Sequence, residues 1–429
     1  MNLALAGLVG ALVALSGCDP RVFDDIADEA WVQTSGPPSG LSTQAYGVAL
    51  IVGGEAPGVG ARLFAVSRNQ DGFVHLVYDA DGALEANATV LTDVGVNGVY
   101  PLSSQPITVG DPASSRVAMA VQSGSPPDQA HLLVLDAATG QRPSPAFALA
   151  GGVPVTAIAF GGAEGASGPN TLTVALENLL VRIPDVATPT ADPPRCLLPA
   201  GIVTSLAIAE LDAGSPGPEL VVSVTGTDSA PGEILLLPGD VIEAAGAAGP
   251  DGPLDCLDPN AQPPLASVSA PAGESDFGHS TRLADLDGDG GLDLVASAPG
   301  ANRVYLLLGA FAGDPAIEIA GPANALGFGE TLAVGPLDGD GGVELVVGAP
   351  GTPQDGEVAA GAAYLYRLSA GAVEPPAVLA DAQPEANQRF GQSVAMVPFG
   401  DGSRSLLVVG AGTEVFAYFR TPFSDELRP

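Results

Sequence analysis

The stretch Leu283-Ala284-Asp285-Leu286-Asp287-Gly288-Asp289-Gly290-Gly291-Leu292-Asp293-Leu294-Val295 decides how the rest of the chain is read. Aspartates at 285, 287, 289 and 293 alternate with small residues, so a tight loop aims their carboxylates at one centre. A hard cation such as Ca²⁺ takes six to eight oxygens at about 2.3–2.6 Å, which suits such a donor set. Gly290 lets the chain turn back, the Gly291 carbonyl supplies a further oxygen, and Asp293 closes the shell. The logic is that of an EF-hand loop, except that Leu294-Val295 opens a strand and not a helix. Without a cation, four crowded carboxylates repel one another.

The loop belongs to a repeat. Upstream of it stands Phe277-Gly278-His279-Ser280, and downstream Ala298-Pro299-Gly300. A second copy runs from Phe328-Gly329-Glu330-Thr331 through Leu337-Asp338-Gly339-Asp340-Gly341-Gly342-Val343-Glu344 to Gly348-Ala349-Pro350-Gly351. A third runs from Phe390-Gly391-Gln392-Ser393 to Gly410-Ala411-Gly412. The Phe-Gly pairs follow one another at 51 and 62 residues, room for four short strands and their loops. Runs such as Leu345-Val346-Val347 suit strands covered on both faces, and Arg303–Leu308 and Ala362–Arg367 occupy equivalent third-strand positions. Weaker copies without Phe-Gly are legible at Leu206–Val222, Val155–Ile183, Ile107–Leu135 and Val48–Tyr78.

These segments resemble FG-GAP repeats, the blade unit of the integrin α-subunit head. The resemblance is strong from about residue 275 to 420 and weak from residue 44. It implies an all-β chain, a β-propeller of seven blades of four antiparallel strands over 44–421, with a short tail at 422–429. It also implies Ca²⁺ at Asp285, Asp287, Asp289, Gly291 and Asp293. Blade 6 is a partial copy: Pro336 replaces the first ligand, leaving a weaker second site at Asp338, Asp340, Gly342 and Glu344. Blade 4 keeps Glu210, Asp212 and Glu219 around an insertion, and blade 7 has lost the acids (Pro398, Gly400, Gly402, Arg404, Leu406). Each Phe reads as a wedge between blades, with the following Gly permitting an irregular backbone. A protein or glycan ligand is expected on a loop face of the propeller, with specificity in loops such as Ala310 to Pro315 and Pro350 to Gly361.

Composition agrees with a turn-rich β protein. Apolar residues make up 46% of the 429 residues, aromatics only 5%, and Gly 57 and Pro 40 are interleaved with Val/Leu runs. The net charge of −35 repels nucleic acid and anionic headgroups and attracts cations. All 14 basic side chains are arginine.

Residues 1–17 are apolar and uncharged, too short for a comfortable membrane span, and read as a signal-peptide core. Leu15-Ser16-Gly17-Cys18 resembles a bacterial lipobox, which implies lipidation of Cys18 and a lipoprotein of the cell envelope, extracytoplasmic, at the outer membrane or surface in preference to the inner membrane. The n-region lacks the usual Lys or Arg, and Asp19 resembles an inner-membrane retention signal. Residues 18–43 read as the lipidated Cys and a tether, or else Trp31-Val32-Gln33-Thr34 supplies a strand that closes the ring. Cys196 and Cys256, in what read as inter-blade loops, form an even pair in an exported chain, either a disulfide or two thiols.

Catalytic constellations do not emerge. His75 and His131 lie in apolar strand-like runs, and His279 sits where the repeat also accepts Glu330 and Gln392. No Gly-x-Ser-x-Gly, His-Glu-x-x-His or phosphate-loop motif is present. The sequence therefore points to a calcium-binding interaction or adhesion module and not an enzyme. A structural envelope scaffold is the alternative, and a polysaccharide-active enzyme a more distant one.

Overall fold

The structure is a computed structural model. It describes the strands between Val32 and Leu149, and residues 155–418 apart from 161–170, 185–192, 199–200, 212–216, 227–230, 246–253, 258–263, 272–273, 312–316, 338–340, 370–371, 400–402 and 413. The described strands form seven sheets of four or five strands. In chain order they are numbered here as blades 1 to 7. Blade 5 shows the plan: Thr281–Ala284, Asp293–Ala298, Arg303–Leu307 and Ile317–Ala320 pair antiparallel in sequence order. Its second strand is buried along its whole length, which is why it reads as an unbroken apolar run and not as an alternation.

Contacts between sheets run in a closed cycle. Tyr46–Ala56 touches Arg116–Ser123, and the series continues through Val155–Phe160, Val203–Ala209, Thr281–Ala284, Thr331–Gly335 and Ser393–Phe399, which returns to Tyr46–Ala56. The architecture is the all-β propeller that the repeats imply. Closure is made by Val32–Ser35, which pairs antiparallel with Val415–Tyr418 and gives blade 7 its outer strand. Of the two readings of this segment, the closing strand is the one observed, so the propeller takes in residues before 44. Cys18 and the whole of residues 1–31 lie outside the described residues, as does the tail at 422–429.

The Phe-Gly motifs hold neighbouring blades together. Phe277, Phe328 and Phe390 are each 0% exposed. Phe277 shares a cluster with Val221, Ile234 and Leu236 of blade 4 and with Leu294 and Tyr305 of its own blade. Phe328 does the same between blades 5 and 6, and Phe390 between blades 6 and 7. Each ring meets a third-strand aromatic edge to face, Phe277 on Tyr305 and Phe328 on Tyr364 at 5.6 Å, and Phe390 on Phe416 at 5.0 Å. The glycine after each Phe is required by close approach: at Gly391, φ is +83° and an added Cβ would lie 2.4 Å from the Ala362 carbonyl oxygen.

Blade 4 departs from the plan. Between its third strand, Glu233–Leu237, and its fourth, Ala266–Ser269, the chain crosses to blade 3. There Val241 and Ile242 of a short helix are buried, Arg182 donates to the Gly239 carbonyl at 2.8 Å, and Leu254–Asp255 adds in parallel to Arg195–Leu197. Cys196 and Cys256 form a disulfide across this pairing, with Cα atoms 5.1 Å apart. The cysteines therefore stand in and beside sheet strands, not in inter-blade loops. A bond between residues 60 apart removes loop entropy worth about 4 kcal/mol from the unfolded chain.

Strand parity fixes which loops share an end. First-to-second and third-to-fourth connections leave one end of the ring; second-to-third connections and the Phe-Gly entries leave the other. The loop from Ala310 to Pro315 and the loop from Pro350 to Gly361, expected together on a binding face, accordingly open on opposite ends.

Candidate metal centre

The loop between the first and second strands of blade 5 is organised by its own carboxylates. Asp285 accepts from the N–H of Gly288 at 2.7 Å and of Gly290 at 2.9 Å, one on each oxygen. Asp287 accepts from the Asp289 N–H at 3.1 Å, and Asp289 from the Gly291 N–H at 2.7 Å. These are the local side-chain-to-backbone bonds that Asp favours in turns. Gly288 and Gly290 hold φ of +80° and +89° with open space where a Cβ would stand, so conformation and not crowding requires glycine there.

Oxygens of Asp285, Asp287 and Asp289 converge to within 4.8 Å of one another, half-buried at 285 and 287 and exposed at 289. Two unit charges at that separation repel by about 1 kcal/mol even at the dielectric constant of water. Three hard, anionic oxygen donors on alternate residues, partly shielded and open on one side, fit a divalent cation of the Ca²⁺ type.

Asp293 has another place. It is 1% exposed, one oxygen accepts from the Leu286 N–H at 2.7 Å, and the other from the Gly309 N–H at 2.6 Å. It ties the loop to the third-to-fourth connection and is not among the three converging residues. The device recurs where the Asp cluster is incomplete. Glu344 accepts from the Leu337 N–H at 2.8 Å in blade 6, and Glu219 from the Leu211 N–H at 2.7 Å in blade 4. Both glutamates are 0% exposed. An acid at the head of the second strand, just before an apolar run, was the signal for this. A buried carboxylate must find donors, and the leucine amide across the loop is the nearest.

Of the second site, Asp338 and Asp340 lie outside the described residues, as does Asp212 in blade 4. Gly342 and Glu344 stand at the end of that loop, with Arg367 Nε 3.9 Å from Glu344. Gly291 lies exposed at the loop's end and donates to Asp289. His75 and His131 fall within the strands Phe73–Val77 and Gln129–Asp136. Burial lowers the His279 pKa against the opposing pull of Asp276.

The chain matches the FG-GAP-like repeat family over residues 285–347, from the Asp loop of blade 5 to the second strand of blade 6. It is 33% identical over 160 residues to human integrin alpha-7, covering 34% of this chain and 13% of that protein, and 32% identical to the mouse protein over the same span. It is also 34% identical over 128 residues to bovine phosphatidylinositol-glycan-specific phospholipase D, covering 24% of this chain and 15% of that protein. The match thus spans about an eighth of the integrins' length. The chain thus carries an FG-GAP-like repeat at residues 285–347 and is similar to integrin alpha-7 over about a third of its length.

Proposed function

We propose that the chain is a calcium-holding interaction module, displayed outside the bacterial cytoplasm and tethered to the envelope by a lipid on Cys18. The carrying observation is the convergence of Asp285, Asp287 and Asp289 in a loop of the FG-GAP repeat. Those three side chains would hold the cation, and its positive charge would neutralise the repulsion among them. Asp293 keeps the loop closed whether or not the cation is bound. The disulfide supports export to an oxidising compartment. The reading is non-catalytic: the three histidines take strand or motif positions, and the activity named for the bovine relative stays with that protein.

Thermal unfolding in EDTA and then in rising Ca²⁺ tests the cation. At about 1 mM Ca²⁺ and a dissociation constant of about 0.1 mM, one site stabilises by about 1.4 kcal/mol. Asp289→Asn abolishes the shift while leaving the EDTA midpoint near that of the wild type. A well-folded wild type with no Ca²⁺ response would sink the calcium assignment. An array of immobilised proteins and glycans, probed with and without Ca²⁺, tests the interaction reading, and a blank array counts against it.

A further inference from the structure

Three joints of the ring are packed by a Phe wedge, those between blades 4 and 5, 5 and 6, and 6 and 7. The joint between blades 3 and 4 is built otherwise. The chain leading into blade 4, Leu198-Pro199-Ala200-Gly201-Ile202, holds no aromatic residue, and Ile202 is 46% exposed. The apolar cluster that joins the two blades consists of Ala, Val, Leu, Ile and Cys side chains, with no ring among the described residues. A buried Phe supplies more contact area than any of these, so this joint lacks the element that packs the other three.

The strap from blade 4 occupies the joint instead. Val241 and Ile242 of the short helix Val241–Ala245 enter the same cluster as Leu180 of blade 3 and Leu237 of blade 4. The helix touches Leu179–Ile183 and Arg195–Leu197 of blade 3. Beyond it, the Cys256 N–H donates to the Leu197 carbonyl at 2.8 Å. The bond from Cys196 to Cys256 then closes a loop that contains the first three strands of blade 4, Val203–Ala209, Glu219–Val224 and Glu233–Leu237. Blade 4 is thereby tied covalently to blade 3. The chain has no cysteine after 256, so the three wedged joints carry no such tie. Cys196 and Cys256 are 0% and 2% exposed, so a reductant meets the bond only once the strap has lifted.

We propose that the strap and its disulfide form a redox-dependent clasp, which closes the joint between blades 3 and 4 where three other joints use a Phe wedge. A dithiol opens the clasp by exchange. Its two thiols pass two electrons and two protons to the cystine, Cys196 and Cys256 become thiols, and the reductant closes to a disulfide. The strap then keeps its small apolar contacts and loses its covalent end. Local opening becomes less costly at this joint than at the wedged ones, which have no bond to lose.

Hydrogen exchange of the whole chain, read by mass spectrometry in EDTA, tests the clasp joint by joint. In Cys196→Ala/Cys256→Ala, exchange in Leu179–Ile183 and Val203–Ala209 is expected to rise about tenfold or more. Thr331–Gly335 and Ser393–Phe399, on either side of the Phe390 joint, keep their wild-type rates. Wild type in enough dithiothreitol to free both thiols, counted by alkylation, shows the same pattern, and re-oxidation with oxidised glutathione reverses it. Ile242→Ala keeps the bond and speeds the same strands by a smaller factor. Unchanged rates at the joint of blades 3 and 4 in the double cysteine variant or in the reduced wild type overturn the proposal. So does a rise of equal size at the Phe390 joint, or an Ile242→Ala chain that exchanges there like the wild type.

Discussion

Blades 5 and 7 open alike, on Phe277-Gly278 and Phe390-Gly391, and each Phe is buried against the preceding blade and an aromatic of its own third strand. At the other end they part. In blade 5 the first and second strands separate after Ala284 and rejoin at Asp293, leaving room for the Asp loop; in blade 7 Phe399 already pairs with Arg404. The wedge packs one blade onto the next, so every interface needs something in its place. The Asp loop projects into open space at Gly288 and Gly290 and can be shortened without disturbing a neighbour. The ring is built at one end, and the Asp loop is an addition at the other.

If that division is right, cutting the wedge costs the same in either blade. Phe277→Ala and Phe390→Ala each remove a fully buried ring and should each destabilise by about 3–5 kcal/mol, measured by denaturant unfolding in EDTA. Ca²⁺ does not rescue either. A loss confined to Phe277→Ala would break the comparison, because the motif would then serve the cation loop and not the ring.

Asp293→Ala comes next. It strands the buried Leu286 amide, releases the exposed Gly309 amide and should cost roughly 2 kcal/mol with or without Ca²⁺. Asp289→Asn, in contrast, affects only the Ca²⁺-dependent increment. The two variants separate the residue that closes the loop from those that would hold the ion. Equal, wholly Ca²⁺-dependent losses would return Asp293 to the coordination shell. Glu344→Ala in blade 6 removes one such acceptor, for the Leu337 amide, and should cost less than Asp293→Ala in the same EDTA unfolding experiment.

The wedge and the loop were both legible in the sequence, for different reasons. Phe-Gly stands out because a large aromatic beside glycine recurs at blade spacing. Asp285, Asp287 and Asp289 stand out because alternate residues of a turn meet at one point. The bond from the Gly309 N–H to Asp293 was not legible, because Gly309 lies sixteen residues on and spacing within the loop carries no trace of it. The strap from blade 4 to blade 3 was hidden in the same way. Its pairing is parallel, two residues long, and set by burial of Val241 and Ile242 on another blade. The opposite placement of the loops at Ala310 and Pro350 needed only strand parity, which follows from the four-strand plan.

The smallest effect expected sits at the Phe-Gly end of blade 7. Burial raises the Glu414 pKa, and Asp381 and Glu385 raise it further by like-charge repulsion. A carboxyl whose folded pKa lies above its unfolded value stabilises the fold in its protonated form. That contribution is fully present below the unfolded pKa and is lost as pH rises through the folded one. At pH 7 the charged Glu414 therefore works against blade 7. Glu414→Gln should raise the thermal midpoint slightly at pH 7 and leave it unchanged near pH 4, where the wild-type side chain is protonated. Blade 5 offers the contrast, since its acids are gathered where a cation can answer their charge. Added Ca²⁺ should leave the Glu414→Gln increment unchanged. A Ca²⁺-dependent increment would show a cation serving the Phe-Gly end as well, and the separation of the two ends would fail.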